Sequence, residues 1–277
     1  MGKFEKNRDK IINMLCQRGR LSTNDVVRAL HASEATVRRY FTIMEKSGDL
    51  IRTYGGVCLP TSANTGEYHF KRQSTANIMA KRAIGFEAAK LLCSHDRLFF
   101  DSGTTVRECG NFLANFINQE VVGDISITTN SLVYSDELAK CCRFSLLGGT
   151  VRLQRMDLCG LITIENLSKL NFTKALLGAD GISLDGQLYT TDEDTSLLAA
   201  AVLRQSAQAF ILADSSKLGT ASFAAYGTLK GPFFTLITDE SADQKLLDTF
   251  RTNGVNVVIA KNVTSKQSRS DSDTQDG

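Results

Sequence analysis

The sequence predicts an α/β protein with a small N-terminal winged helix-turn-helix and a larger domain built on a mostly parallel sheet. In the first part, three short helical patterns precede a Gly-Gly hairpin within residues 1–59. Further along, apolar runs alternate with helical stretches, which is typical of a parallel sheet covered by helices on both faces. Charge separates the two parts, because residues 1–58 hold 11 Lys and Arg against 6 Asp and Glu, whereas residues 59–277 hold 21 against 24. The imbalance indicates that only the N-terminal part meets a polyanion.

Composition sets further bounds. A chain of 277 residues with 42% hydrophobic residues can bury a real core and is expected to form more than one domain. No stretch approaches the roughly 20 apolar residues of a membrane helix, and MGKFEKNRDK lacks the apolar core of a signal peptide, so we expect a cytoplasmic protein with no membrane partner. The 7 cysteines show no CxxC pair, which favours buried reduced thiols over disulfides or zinc.

The N-terminal helices follow in order. Ile11, Ile12 and Leu15 repeat with helical spacing before Gly19, and a second helix fits Thr23 to Leu30. Ser33 is placed to cap a third helix, EATVRRYFTIMEKS, which Gly48 ends.

The third helix and the hairpin predict a DNA interface. Small and basic residues oppose the apolar face of the helix, as a helix in the major groove requires, and DLIRTYGGVCL reads as two strands of a wing. A small helical domain with solvated arginines is the alternative, but the combined order favours DNA binding. The candidate DNA contacts are Ser22, Thr23, Ser33, Glu34, Ala35, Thr36, Arg38, Arg39, Tyr40, Lys46, Arg52, Tyr54 and Gly55.

Residues 60–74 are predicted to form a linker, residues 75–261 the larger domain and residues 262–277 a disordered tail. Beyond a helix starting near Ala80, the strand candidates are 98–101, 125–129, 144–147, 174–178, 209–213, 234–238 and 255–260. The helix candidates are 104–117, 131–140, 160–170, 193–207 and 242–252.

Polar residues follow five of these strands. In a parallel sheet, ligands bind beyond the carboxyl ends of the strands, where helix N-termini and loops converge. Hydroxyls, glycines and free helix amides suit an anion, and two aspartates could accept hydrogen bonds from sugar hydroxyls. A phosphorylated sugar or polyol is therefore the expected ligand. Each fragment alone also suits simple capping or turns. The candidate effector-binding residues are Asp101, Ser102, Gly103, Thr104, Thr105, Thr129, Asn130, Ser131, Gly148, Gly149, Arg152, Asp180, Gly181 and Lys217.

Catalysis is not expected. No GxxxxGK loop is present, and no GxGxxG opens a helix after a strand. The 3 histidines are too scattered for a triad or a metal site, so we expect no catalytic residues, no metal and no cofactor. The strand-end pattern does resemble ribose-phosphate isomerase and sugar-phosphate deaminase folds.

The chain also resembles the DeoR family of bacterial repressors over about residues 5 to 260. Thr36, Val37, Arg38 and Arg39 match the core of that family's third helix, and Arg52, Gly55 and Gly56 match its wing. The larger domain is similar to the family's C-terminal sensor domain through FFDSGTTV, TTNSL, LLGGTVR, LGADGI and LADSSKLG. The resemblance implies a repressor of a sugar or sugar-alcohol catabolic operon, released from operator DNA by a phosphorylated sugar intermediate.

Two departures stand out. Tyr40 and Phe41 replace the family's Asp-Leu, and residues 195–202 lack the pocket-facing lysine of many relatives. Charge for a phosphate would then come from Lys217, Arg152 and helix amides. Paired operator sites imply a homo-oligomer, either a dimer or a tetramer. Two rival functions are an isomerase- or deaminase-like enzyme with an accessory DNA-binding head, and an activator or architectural DNA binder.

Overall fold

The computed structural model describes residues 3–18, 20–47, 49–53, 55–58, 70–133 and 135–261. The chain divides into two compact units, with the boundary between Ala76 and Asn77. The two units are called the head and the sensor unit below.

Among its described residues, the head contains four helices, the last of them only four residues long, and a small antiparallel sheet of strand order β1-β3-β2. Its described core includes Ile11, Leu15, Val26, Val37 and Phe41, which are the apolar positions of the helical repeats. The elements are α1 (Lys3–Arg18), β1 (Arg20–Ser22), α2 (Thr23–Leu30), α3 (Glu34–Lys46), β2 (Ile51–Thr53), β3 (Gly56–Cys58) and the short α4 (Phe70–Gln73).

The sensor unit is built on a seven-stranded sheet in which every pairing is parallel, with strand order β15-β14-β12-β9-β4-β5-β6. A β7-β8 hairpin and a small antiparallel sheet, β10-β11-β13, accompany it. The strands are β4 (Arg97–Phe100), β5 (Ser126–Thr129), β6 (Arg143–Leu146), β7 (Thr150–Arg152), β8 (Asp157–Cys159), β9 (Lys174–Gly178), β10 (Gly181–Ile182), β11 (Gln187–Thr190), β12 (Ala209–Leu212), β13 (Ala224–Thr228), β14 (Phe234–Asp239) and β15 (Asn256–Ala260). The helices are α5 (Ile78–Lys90), α6 (Thr104–Asn118), α7 (Ser135–Cys141), α8 (Leu161–Leu167), α9 (Glu193–Arg204) and α10 (Gln244–Thr252).

Strand alternation divides the apolar core into two layers, as expected for a sheet covered on both faces. Leu98 and Phe100 of β4 pack in one layer with residues of α5, α6 and α7. Phe99 lies in the other layer with residues of α8, α9 and α10. The sheet is therefore buried on both sides, and its strand ends are left for ligand contact.

The fold class and the seven parallel strands are confirmed, with small shifts at the ends. Six strands (β1, β7, β8, β10, β11 and β13) were not predicted. The helix expected over 131–140 begins only at Ser135, and residues 70–73 of the expected linker form α4. The prediction that the cysteines are buried is wrong for Cys93, which is exposed. Residues 59–69 of the expected linker and the tail from 262 lie outside the described residues.

Across the described ranges, no helix is both long and apolar enough to cross a membrane.

Candidate functional site

The third head helix presents a polar outer face. Its N-cap is Ser33, whose Oγ accepts the backbone N–H of Thr36 across 3.3 Å, as the sequence predicted. Arg39 and Lys46 are exposed on this helix, and so is Ala35. Arg38 is also exposed but is bound to Glu34 one turn earlier, with 2.6 Å between Nη2 and Oε1. Among the described residues of the head, Arg39 therefore forms no ion pair with a carboxylate, unlike Arg38.

The wing is attached to both α2 and α3. The backbone N–H of Thr23 donates to the carbonyl of Gly55 across 3.0 Å, at the start of α2. Gly55 has a φ of 80°, which favours glycine in this turn. On the other side, Nη1 of Arg52 donates to Oγ1 of Thr42 in α3 across 3.4 Å. Ser22 forms a capping box with Asp25 and so fixes the start of α2. Tyr54 lies outside the described residues.

Tyr40 requires a correction, because it does not face outward with the other candidates. Its side chain is buried in the head core, and its ring meets Phe4 edge-on at a centroid distance of 5.2 Å. The phenol oxygen accepts a 3.3 Å hydrogen bond from Asn7. Position 40 follows the buried Val37 by three residues and therefore shares its face of the helix. Tyr40 thus joins α3 to α1 and is not available to DNA.

In the sensor unit, the strand order reverses between β4 and β9. The chain adds β5 and β6 on one side of β4 and then β9, β12, β14 and β15 on the other. Such a switch point leaves a crevice at the carboxyl ends of the two central strands. Here the backbone N–H of Gly178 donates to Oδ2 of Asp101 across 3.3 Å. A Cβ built on Gly103 would lie 3.7 Å from the Cα of Gly178, so the two strand ends approach closely.

The N-terminus of α6 opens at this switch point. Gly103 is its N-cap residue and supplies no side-chain hydrogen bond, and Thr104 and Thr105 form the first turn. The first amides of a helix have no partner within the helix and carry a partial positive charge. A helix start without a side-chain cap, next to a glycine, is suited to an anion. The effector contacts predicted at residues 101–105 lie at this helix start and stay a prediction.

The end of β5 is buried. Oγ1 of Thr129 donates to the carbonyl of Phe100 across 2.6 Å, so this hydroxyl is already engaged within the protein. Nδ2 of Asn130 donates to the carbonyl of Leu158, but its Oδ1 is buried with no hydrogen-bond partner among the described residues. A buried acceptor without a donor is costly, so it is a natural place for a ligand hydroxyl. Ser131 bridges to Asp157 and does not open a helix, contrary to the prediction.

Arg152 also requires a correction. Its Nε and Nη2 donate to the two carboxylate oxygens of the fully buried Asp157, each across 2.8 Å. Its Nη1 donates to Asp192 across 2.7 Å, at the N-cap of α9. Two carboxylates therefore compensate the charge that was predicted to serve a phosphate. Arg152 instead ties the β7-β8 hairpin to α9.

Three predicted glycines have structural roles. A Cβ on Gly149 would overlap Oγ1 of Thr163, and the carbonyl of Gly148 accepts from that same hydroxyl across 2.9 Å, so both glycines pack the end of β6 against α8. Gly181 pairs with Tyr189 within the small antiparallel sheet. A Cβ there would lie 2.8 Å from the carbonyl oxygen of Thr220, so close packing explains this glycine without a ligand.

The ends of β9 and β12 bring further polar groups to the same edge. Oδ2 of Asp180 accepts the backbone N–H of Thr191 across 3.1 Å. Asp214 caps the 3-10 turn that contains Lys217. Burial raises the pKa of Tyr226 well above its ordinary value, and the charges of Asp101 and Asp180 raise it further. Tyr226 also donates to the carbonyl of Gly178 across 2.8 Å, so it lies at the switch point, which the sequence did not indicate.

Burial makes the carboxyl of Asp101 a weaker acid than usual. The pKa of its carboxyl is raised to about 6, chiefly by burial and further by the charge of Asp157, while N–H groups of Gly178 and Ser102 oppose the rise. Ser102 itself is buried and donates from Oγ to Asp157 across 3.1 Å. The switch point therefore combines hydrogen-bond acceptors from Asp101 and Asn130 with the donor end of α6. Such a mixture suits a molecule with both hydroxyls and an anionic group.

One buried lysine of the sensor unit was not predicted from the sequence. Lys81 lies in α5 with only 3% of its surface exposed. Burial lowers its pKa to about 8, and the nearby charges include Asp214, Lys217, Glu108 and Asp180. The sequence carried a signal, because Lys81 precedes the buried Ile84 and Ala88 by three and seven residues and so occupies a core position of the helix.

Comparison with known proteins identifies both units. The family model described as the DeoR-like helix-turn-helix domain matches residues 8–63. The model of the DeoR C-terminal sensor domain matches residues 76–240, more than half of the chain. The chain belongs to the DeoR family.

Its DeoR relatives are named regulators. The chain is 33% identical over 253 residues to the HTH-type transcriptional repressor GlcR of Bacillus subtilis, covering 91% of this chain and 94% of that protein. It is 29% identical over 256 residues to the lactose phosphotransferase system repressor of Staphylococcus aureus, covering 91% and 98%. This DeoR protein is thus a DNA-binding transcriptional regulator.

Solved structures show weaker likeness. The ribose 5-phosphate isomerase of Methanocaldococcus jannaschii matches with a TM-score of 0.40 and 17% identity, covering 52% of this chain and 55% of that one. That likeness is too low to carry a conclusion about this DeoR chain.

Proposed function

We propose that the protein represses a sugar or sugar-alcohol catabolic operon and leaves its operator when a phosphorylated intermediate of that pathway binds the sensor unit. The names of relatives support repression and a link to sugar uptake, because one is a lactose phosphotransferase system repressor. The chemistry of the site supports a phosphorylated ligand.

One observation carries the choice of ligand. The helix α6 begins without a side-chain cap at the point where the strand order of the sheet reverses, with Asp101 and Gly178 in hydrogen-bond contact beside it. Free helix amides bind anions, and carboxylate and amide oxygens accept from hydroxyls. A sugar phosphate presents both kinds of group. An unphosphorylated sugar would leave the helix amides without their partner, and inorganic phosphate would leave the acceptors unused.

The head supports operator binding through α3 and the wing. A single recognition helix reads a short site, and bacterial operators pair two such sites, so we propose a homo-oligomer, with dimer and tetramer both open. Ligand-driven release then requires only that the sensor bind the ligand more tightly in the arrangement that fits DNA poorly.

DNA release by defined metabolites tests the proposal. The full-length protein is titrated onto labelled DNA taken from the intergenic region beside its own gene, and anisotropy is followed as each metabolite is added. The panel contains glucose 6-phosphate, galactose 6-phosphate, fructose 1-phosphate, ribose 5-phosphate and glycerol 3-phosphate, each with its unphosphorylated parent as control. We expect one phosphorylated member to release the DNA and its parent to have no effect.

Two results would contradict the proposal. If a parent sugar releases DNA at the same concentration as its phosphate does, the ligand does not need an anion site. Failure of every phosphorylated metabolite to change DNA affinity or thermal stability would favour a regulator whose larger unit only assembles subunits.

A further inference from the structure

We propose that Lys81 of α5 is an anion-binding residue of the sensor site, and that it supplies positive charge to the anionic group of the ligand. This inference rests on the proposed function, because it assigns a residue to the same ligand. It differs from the sequence-based expectation, which relied on Arg152 and Lys217 for this charge.

The direction of α5 places Lys81 at the correct edge of the sheet. The helix leads into β4, and α6 leads away from it, so both helices run against β4 and their N-termini lie at the carboxyl ends of the strands. A hydrogen bond fixes this end, since Nδ2 of Asn77 donates to Oδ1 of Asp214 at the end of β12 across 2.9 Å. Lys81 lies one helical turn after Asn77.

Close helix packing sets the neighbour of Lys81. A Cβ built on Gly85 would lie 2.6 Å from the backbone nitrogen of Cys109, so α5 and α6 touch at this point. Lys81 is one turn before Gly85 on the same face, and Thr105 is one turn before Cys109 in α6. Since side chains lean toward the helix N-terminus, the lysine extends toward the first turn of α6, where the anion is proposed to bind.

Charges around Lys81 come from three other elements. Asp214 and Lys217 belong to the end of β12, Asp180 follows β9, and Glu108 lies in α6. Two of these residues, Asp180 and Lys217, were predicted from the sequence to contact the effector. Lys81 is therefore within electrostatic reach of the predicted site while its own side chain is shielded from water.

Burying an ammonium group is costly, and such groups are retained where they meet an opposite charge. Asp214 is the carboxylate with the largest effect on the charge of Lys81, and it also accepts from Asn77 and from the hydroxyl of Ser216. A phosphate at the start of α6 provides a second negative charge next to the lysine.

Two substitutions and a matched control test the assignment in the full-length protein. Lys81→Met removes the charge but retains an apolar stem, whereas Lys81→Arg keeps a permanent charge. The control is Lys90→Met, which removes an exposed lysine from the same helix. Binding of inorganic phosphate, and of whichever metabolite of the panel releases DNA from the wild type, is measured by calorimetry at pH 7 and pH 9.

We expect Lys81→Met to weaken binding by about tenfold to a hundredfold at pH 7, the range for a charge-assisted hydrogen bond. The control should bind like the wild type. Because the pKa of Lys81 is about 8, the wild type should bind less tightly at pH 9 than at pH 7, and Lys81→Arg should not.

Each outcome is decisive. Wild-type affinity in Lys81→Met overturns the assignment and leaves the proposed function standing. If Lys81→Met does not fold, the pH series decides, and an equal loss of affinity by wild type and Lys81→Arg between pH 7 and pH 9 overturns the assignment. A wild type that binds neither phosphate nor any phosphorylated metabolite overturns the proposed function and this assignment with it.

Discussion

Ser102 donates a hydrogen bond to the buried carboxylate of Asp157 across 3.1 Å, and so joins the end of β4 to the β7-β8 hairpin. The same carboxylate is bound by Arg152, whose other contacts reach Asp192 at α9. A chain of polar contacts therefore runs from the switch point of the sheet to the N-terminus of α9.

Arg152→Met should destabilise the sensor unit because it leaves Asp157 buried without its principal cation. Loss of one partner of a buried ion pair costs about 3–5 kcal/mol. The melting temperature of the variant, measured by calorimetry, should fall well below that of Arg251→Met, which removes one partner of an exposed ion pair. Equal melting temperatures for the two variants would show that Asp157 does not depend on Arg152.

Asp101→Asn should stabilise the protein above pH 6 and have little effect below pH 4. Burial raises the pKa of this carboxyl to about 6, whereas the unfolded chain titrates near 3.8. The folded state therefore holds the proton more tightly, and the contribution of Asp101 to stability falls as the pH rises from about 4 to about 6. We expect a gain of about 1–3 kcal/mol at pH 7 from urea unfolding.

The control for that series is Asp124→Asn, in which the lost carboxylate is 84% exposed and pairs with His95. Its difference from the wild type should be small at both pH values. A pH-independent difference for Asp101→Asn would mean that the carboxyl titrates normally.

Gly103→Leu should abolish release from DNA while operator binding is retained. The backbone angles of Gly103 are ordinary, and a Cβ there would be 3.5 Å from Oδ2 of Asp101, which is normal contact. Gly103→Ala should therefore fold and respond to effector with modest loss, and the larger leucine should cover the helix amides. The response is measured by anisotropy with the metabolite that releases DNA from the wild type. An unchanged response in Gly103→Leu would show that the anion does not bind at this helix.

Arg39→Ala should weaken operator binding by about tenfold to a hundredfold, the range for one arginine contact to DNA. Ligand binding by the sensor unit should not change, since Arg39 belongs to the head. Arg251→Ala removes the same charge from the sensor unit and serves as the control. Equal DNA affinity of the two variants in anisotropy titrations would exclude Arg39 from the interface.

Tyr40→Phe should leave DNA affinity unchanged and cost about 0.5–1.5 kcal/mol of stability, because it removes only the hydrogen bond with Asn7. Tyr40→Ala should cost about 3–5 kcal/mol, since it empties a buried aromatic site. Both are measured by thermal unfolding beside DNA titrations. A Tyr40→Phe variant with normal stability but weakened DNA binding would return this residue to the interface.

The elements that could be predicted from the sequence are those with a clear apolar pattern or a helix cap. The strand over 174–178 and the helix over 23–30 agree with the structure at both ends, because one is a continuous apolar run and the other has a cap and an apolar face. The two-residue β10 and the three-residue β7 and β8 were missed, since such lengths carry no period.

Site residues were predictable where they directly follow a strand of the sheet. Asp101 and Gly103 follow β4 directly, so their place at the sheet edge followed from chain order alone. Lys81 and Tyr226 could not be placed in this way, because each comes from an element whose packing depends on residues far along the chain. In the sequence, Arg152 looks like an uncompensated positive charge near a strand end, and it was therefore assigned to the ligand. Its carboxylate partners, Asp157 and Asp192, meet it only in the folded chain.

Asn77 has a consequence for building hybrid regulators. It is the first residue of the sensor unit, adopts a left-handed backbone with a φ of 50°, and bonds through its amide to Asp214. A foreign DNA-binding module should accordingly be joined before this asparagine. A junction placed even one residue later would discard the amide that anchors α5 to the end of β12, and the start of α5 in the chimera would no longer be held in place.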